Sequence, residues 1–579
     1  MRRLDIAKIP PDDTLMMPMR DGVKLHTELF FPRAGGGPFP TILIRTPYPD
    51  STFPFSARPI ELFRAAGYAV AIQSCRGTWK SQGRFRFFQH EAEDGYDCIE
   101  ELARRPWSNG KIGMYGSSYL GTVQWLAARL RPPHLTCIAP QSPGGMFFYE
   151  TPYIGGVLYK NHLLTWPRLV ARHSWDEMEF EWASLDIDEH SALYKATLQS
   201  PNVDAVKEWH ADDPDIAEAM LEVLEHPTLD DWWRNIMLTP ESARQIEIPI
   251  LAITGFYDGD QAGCLYNWQT IEPAAPSSRG RRHLIVGPWR HAQMSTGTSE
   301  PMGLVKFGAN ASVLLPNAVL GFFNAYMQGD PAALEQLPKR CRLYTSGTNC
   351  WHEVSEYPPK ESVQTPLYFL SAGAANSLRG DGRLVFDPPT GQSAPDRLEA
   401  DWSSPTPAVS VGEDARVNEA RDDVLVYTST TLDGDLAVLG PVEAVIHLAA
   451  DVPDCDIIIR IEDVHPDGAA INLTGEFGCG AFRARYRHGF EQEVSLVPGE
   501  TARLVFHVCH MGHVFQKGHR IRVALTTTVA NMLEPNHHTG EPVATAVKRC
   551  KATELIYHDA GRPSHVILPV FHVRPAQCP

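Results

Sequence analysis

The chain has 579 residues, 43% hydrophobic and 21% charged, an ordinary globular balance in a length too great for one core, so two to four domains are expected. With 52 basic residues against 69 acidic ones the net charge is −17, which argues against nucleic acid or an anionic membrane surface as a partner. No run approaches the ~18 apolar residues of a membrane helix. The start, MRRLDIAKIPPDD, lacks the apolar core of a secretory signal. Eleven scattered Cys without a C-x-x-C pair read as reduced thiols of a cytoplasmic protein, neither a disulfide frame nor a zinc site.

In chain order, the first informative element is the apolar run Thr41 to Ile44, a strand leading into Thr46-Pro47-Tyr48. Lys111 to Tyr115 is a second strand, and it runs into Gly116-Ser117-Ser118-Tyr119-Leu120-Gly121. Beyond that turn Val123, Leu126, Ala127 and Leu130 recur at helical spacing. A serine at such a strand-to-helix turn is pushed out on a strained elbow with its hydroxyl exposed. Gly116 and Gly121 leave room for strand and helix to pass, and the Tyr119 N–H at the helix start is aimed where an oxyanion would form. The spacing is G-x-S-x-x-G rather than G-x-S-x-G, so the pattern alone is only moderately specific.

Residues 145 to about 240 are rich in Trp, Leu, Glu and Ala, with helical stretches at Leu158–Leu169 and Ile216–Leu224. The 140 residues from Ser118 to Asp258 (258 − 118) are far more than one crossover helix requires, so this segment reads as an inserted helical cap. Ile248 to Thr254 is a continuous apolar run, as a strand buried on both faces requires, and it leads into Gly255-Phe256-Tyr257-Asp258-Gly259-Asp260. Arg282 to Val286 is another, leading into Gly287-Pro288-Trp289-Arg290-His291. A nucleophilic serine needs a base and the base an orienting acid, in the chain order Ser, acid, His on an α/β-hydrolase sheet. Ser118, Asp258 and His291 meet that order, each just past a strand. Asp260 is a rival acid, with Asp258 preferred as nearer the strand end.

Asn317 to Gln328 closes the α/β part as a helix with Val319, Leu320, Phe322, Phe323, Tyr326 and Met327 on one face. From about residue 337 helical periodicity vanishes. Short β-rich runs at Leu367–Leu370, Val424–Thr428, Ala444–Leu448, Asp456–Glu462, Arg503–Val508 and Arg520–Thr527 alternate with Gly, Pro and Asp turns, which predicts an all-β sandwich. The expected fold class is α/β: an α/β-hydrolase domain of residues 1–144 and 241–336, a helical cap of 145–240, and an all-β domain of 337–579.

The chain resembles the cocaine esterase, α-amino acid ester hydrolase and X-prolyl dipeptidyl-peptidase family of serine hydrolases. The residues that carry the resemblance are Pro18 to Leu25, Arg76-Gly77 with Ser81-Gln82-Gly83, Glu91 to Asp97, Gly116 to Gly121, Gly255 to Asp258 and Gly287 to His291. The resemblance implies a jelly roll for the β domain. It implies Ser118 as nucleophile, His291 as base, Asp258 as acid, and a tyrosine hydroxyl, carried onto Tyr48, as second oxyanion donor beside the Tyr119 N–H. It implies neither a metal nor an organic cofactor, a small-molecule acyl ester or amide as substrate, and homo-oligomers as a frequent state. Trp166 resembles an aromatic lining the acyl pocket of the cocaine esterase branch. That branch has a phenylalanine two residues after the acid where this chain has Asp260, which weakens the case for a benzoyl ester. The α-amino acid ester hydrolases carry an acidic residue there, part of a carboxylate cluster holding the substrate ammonium. Asp260 is similar to one member, the next cluster position is Gln261, and Glu150 is a candidate for another. An acyltransferase, an acylase or X-Pro peptidase on the same scaffold, and a non-catalytic jelly-roll binding protein, stand as alternatives.

Overall fold

The apolar runs become neighbours in one ten-stranded sheet. A computed structural model describes residues 9–48, 57–170, 197–294, 297, 300–312 and 315–572. Across the sheet the strands are Asp13–Pro18, Lys24–Phe30, Ala69–Ser74, Phe39–Thr46, Ser108–Ser117, Leu135–Gln141, Ile250–Gly255, Arg282–Gly287, Cys341–Thr345 and Cys350–Val354. Pairing is parallel from Ala69–Ser74 through to Cys341–Thr345 and antiparallel at both edges.

Both faces are covered, which is why the central strands read as continuous apolar runs. Successive side chains go to opposite faces. Ile42, Ile44, Val70 and Ile72 pack in one core with Phe63 of helix Ala57–Ala65 and with Val319, Phe322 and Phe323. Leu43, Ala71, Ile112 and Met114 pack in the other, against Ile99 and Leu102 of helix Glu91–Ala103 and Val123 of helix Tyr119–Ala128. The closing helix is Leu315–Phe323, continued by a π-helical turn over Asn324–Gln328 that stops at left-handed Gly329. The elbow helix stops at Ala128, so Leu130 lies past it and is 36% exposed instead of continuing the helical face.

The sheet does not end at residue 336. Cys341–Thr345 and Cys350–Val354 extend it, because the apolar Cys341, Leu343 and Tyr344 pair into the still-open edge beside Arg282–Gly287. The second sheet starts at Ser362 and has thirteen strands, almost all paired antiparallel. Between the two halves of the α/β part, residues 149–158 form a three-stranded hairpin sheet before helices Lys160–Val170, Asn202–Trp209 and Pro214–Glu225. The expected cap is therefore partly β at its start. Among the described residues no helix is long and apolar enough to cross a membrane. Among the described residues nine cysteines are free thiols, eight of them buried.

Two buried ion pairs brace the floor under the elbow. Arg45 and Glu91 meet at 2.5 Å with side chains 0% and 3% exposed, and Tyr119 Oη donates to Glu91 Oε1 at 2.9 Å. Arg76 holds Asp94 through two bonds at 2.6 and 2.9 Å and Asp21 through a third at 2.6 Å. Taking away one partner of such a pair strands a buried charge at a cost of about 3–5 kcal/mol. Arg45→Met is accordingly expected to lower the midpoint of chemical denaturation by that amount of stability without a change of slope.

Candidate active site

Gly116 and Gly121 are where the elbow needs no side chain. A Cβ on Gly116 would come within 2.4 Å of Leu120 Cβ, and one on Gly121 within 2.7 Å of the Gln141 carbonyl oxygen. Ser118 sits between them at φ 62 and ψ −126, a left-handed conformation that costs a non-glycine residue on the order of 1 kcal/mol or more. Its N–H donates to the Gln141 carbonyl at 2.9 Å, and helix Tyr119–Ala128 begins at the next residue.

The post-strand loops of Ile250–Gly255 and Arg282–Gly287 are parallel neighbours, so Asp258 and His291 come together. His291 Nδ1 donates to Asp258 Oδ1 at 2.8 Å, leaving Nε2 as the free ring nitrogen. Asp258 is fully buried and also accepts from Thr254 Oγ1 at 2.9 Å and from the Asp260 N–H at 3.1 Å. Asp260 Oδ2 is 3.6 Å from the same imidazole nitrogen, too far for a hydrogen bond, which separates the two candidate acids in favour of Asp258. The loop is held from behind by Tyr257, whose hydroxyl lies 2.6 Å from Ser346 Oγ, itself 2.7 Å from His513 Nδ1.

Ser118, His291, Tyr48, Tyr119, Trp166 and Asp260 line one cavity of about 190 Å³. Tyr48 and Ser118 face the same cavity, and the Ser118 side chain eases the ionisation of the Tyr48 phenol. Trp166 Nε1 donates to Tyr48 Oη at 3.1 Å, so Trp166 fixes that hydroxyl as well as walling the pocket. Burial pushes the Tyr48 phenol up to about 12, which keeps it a donor at neutral pH. Phe87, Phe88 and Phe147 complete an aromatic wall, with Phe88 stacked on Tyr119 at 4.0 Å.

Glu150 does not join this wall. Its carboxylate is taken up by three backbone N–H groups, those of Gly145, Met146 at 2.8 Å and Gly263 at 2.7 Å. It ties the segment after Gln141 to helix Gln261–Ala274, a structural task in place of the substrate contact expected for it. Asp260 does face the cavity, and its Oδ1 is buried with no hydrogen-bond partner among the described residues.

Three further residues, none in a recognisable motif, reach the cavity or its histidine. His162 lines the cavity one helical turn before Trp166 and stacks on it at 5.2 Å, and the i, i+4 spacing on a cap helix was the available signal. Glu476 and Phe477 come from the all-β domain. Glu476 Oε2 accepts the His291 backbone N–H at 2.8 Å, and the Phe477 ring lies 5.6 Å from the imidazole.

The charges around His291 act together. Burial disfavours its imidazolium, but Asp258, Asp260 and Glu476 outweigh burial and raise its pKa above the ordinary imidazole range. Burial would raise Asp258, yet the charge and hydrogen bond of His291 hold it below the usual carboxylate range. Burial, opposed by His291 and assisted by the other two carboxylates, pushes Asp260 up to about 7. Glu476 is pushed up to about 7 chiefly by burial, with Asp258 adding to it. Desolvation, with the charge of His291 adding to it, pushes His162 down to about 3, so it is a neutral imidazole. Such an array can take a proton from a hydroxyl at Ser118 and hold it on a paired imidazole.

The X-Pro dipeptidyl-peptidase (S15 family) profile matches residues 21–293, and that of the X-Pro dipeptidyl-peptidase C-terminal non-catalytic domain matches 332–567. Cocaine esterase of Rhodococcus sp. (strain MB1 Bresler) is 30% identical over 588 residues, covering 96% of this chain and 98% of that protein. The chain belongs to this family of serine hydrolases. A solved α-amino acid ester hydrolase superposes with a TM-score of 0.82 at 25% identity over 97% of each chain. An aminopeptidase from the marine sediment archaeon Thaumarchaeota archaeon has the same fold, with a TM-score of 0.82 at 22% identity over 99% of this chain and 98% of that one. Family membership makes the protein a serine hydrolase of esters or amides, with an N-terminal α/β domain and a C-terminal all-β domain.

Proposed function

We propose that Ser118 attacks the acyl carbonyl while His291 Nε2 takes its proton and Asp258 orients and stabilises the imidazolium. The Tyr119 N–H and the Tyr48 hydroxyl receive the oxyanion. The carbon–oxygen or carbon–nitrogen bond to the leaving group then breaks as His291 returns the proton to that group, and water releases the acyl-enzyme by the same steps in reverse. The observation that carries this reading is the 2.8 Å His291–Asp258 bond at the mouth of a cavity that also holds Ser118 and the Tyr48 hydroxyl. No step draws on a cofactor.

Tyr48→Phe removes one hydroxyl and little volume. Loss of an oxyanion donor costs about 10²–10³ in turnover, so kcat is expected to fall by that much with KM little changed. Steady-state kinetics on a p-nitrophenyl ester checks it, and a fall below threefold removes Tyr48 from the mechanism.

The substrate class follows from Asp260. A buried carboxylate oxygen with no partner among the described residues, facing the acyl cavity, is satisfied by a substrate ammonium one or two bonds from the scissile carbonyl. α-Amino acid esters and N-terminal amino-acyl peptides both present that group, in keeping with the likeness to an α-amino acid ester hydrolase. Asp260→Phe is expected to lower kcat/KM for α-amino acid esters and to raise it for phenyl or benzoyl esters. A parallel loss on both would mean only damage to the Asp258 loop. Asp260→Asn removes a negative neighbour of His291, so the imidazolium loses stabilisation and the neutral base persists to lower pH. The acid limb of kcat/KM for an uncharged ester should shift downward in pH, and an upward or absent shift contradicts the coupling.

A further inference from the structure

A second cavity, of about 210 Å³, lies behind the active-site wall, and Phe477 lines both. The all-β domain lines the second cavity with apolar Val409, Val411, Ile458, Val529 and Met532 and with polar groups that include Arg460, Asn472 and Glu476, and Arg290, the residue before His291, comes from the α/β domain. Phe477 is seated tightly. Its ring lies 5.6 Å from that of His291 and 6.0 Å from that of Tyr159, and a Cβ on Gly259 would come within 1.8 Å of a Phe477 ring atom. Its backbone is left-handed at φ 59, in a loop with Gly475, Gly478 at φ 79 and Gly480 at φ 89. A left-handed aromatic residue in a glycine-rich loop, between two cavities and against the base, is the side chain whose displacement would join them.

The chemistry says which part of the substrate would displace it. The aromatic wall of Phe87, Phe88, Phe147 and Trp166 surrounds Ser118 and Tyr119 on the acyl side. The leaving group must lie against His291 to receive its proton, and that is where Phe477 packs. We propose that the second cavity is a leaving-group subsite closed by Phe477, and that it takes a bulky, mainly apolar alcohol or amine such as a fused aromatic. The proposal rests on the assignment of Ser118 and His291 made above. It assigns selectivity for the leaving group to the all-β domain, whereas the acyl side is set by the α/β domain and the cap.

The test uses the full-length protein and two esters of one acyl group, a methyl ester and a 2-naphthyl ester, compared by kcat/KM because the acyl-enzyme they form is the same. Ala408 is exposed on the rim of the second cavity, so Ala408→Trp fills the space without touching a core. Ala408→Trp is expected to lower kcat/KM at least tenfold for the naphthyl ester and less than twofold for the methyl ester. Phe477→Ala is expected to raise the naphthyl-to-methyl ratio at least threefold. If both esters change in parallel in both variants, the subsite is refuted while the hydrolase reading stands. If the unaltered protein cleaves neither ester, both fall.

Discussion

Ser118→Ala is expected to reduce ester hydrolysis roughly 10⁶-fold, the scale of losing the nucleophile of a serine triad, with folding unchanged. Ser118 is partly exposed at the top of the elbow, so removing its hydroxyl opens no core cavity. Alanine inherits the cost of a left-handed backbone, φ 62, that serine already bears. Ser117→Ala, one residue earlier on the strand side, is expected to stay within a few-fold of the parent. The check is turnover of a p-nitrophenyl ester by both variants alongside their circular dichroism. Exchanged results would place the nucleophile one residue earlier.

Asp258→Asn is expected to lower kcat by about 10⁴, because an amide in place of the carboxylate favours the wrong imidazole tautomer and no longer stabilises the imidazolium. The bonds from Thr254 Oγ1 and the Asp260 N–H hold the side chain in place, so geometry should survive the change. Asp260→Asn is the internal control: at 3.6 Å from the imidazole it does not set the tautomer, and it should cost kcat far less. Equal losses in the two variants would mean that the carboxylates share the orienting role. Pre-steady-state acylation rates separate this from any effect on product release.

Why the sequence is informative at some positions and silent at others has physical causes. Ile250–Gly255 and Arg282–Gly287 are buried on both faces, so they stand out as unbroken apolar runs, and a residue just past such a run has a known place at the sheet's end. That made Asp258 and His291 readable. The steric need for Gly116 and Gly121 was readable too, because the elbow leaves no space for a Cβ. Glu150 is silent in the sequence because a carboxylate that serves three backbone N–H groups looks, in one dimension, like one that serves a ligand. The sheet's continuation to Val354 escaped notice since Cys341–Thr345 resembles, in composition, the β-rich region that follows it. Glu476 and Phe477 reach His291 from another domain, a contact with no local period to reveal it. Only the density of glycine in Gly475-Glu476-Phe477-Gly478-Cys479-Gly480 marked the loop as unusual.

In the mechanism proposed above, Ser118 is the residue acylated in turnover, with His291 activating it. This assignment is tested most directly by treating the protein with a fluorophosphonate and mapping the adduct by peptide mass spectrometry. One adduct per chain is expected, on Ser118, absent in Ser118→Ala and formed at least 10²-fold more slowly in His291→Ala. An adduct on Ser117 or another serine, or undiminished labelling of Ser118→Ala, would contradict it.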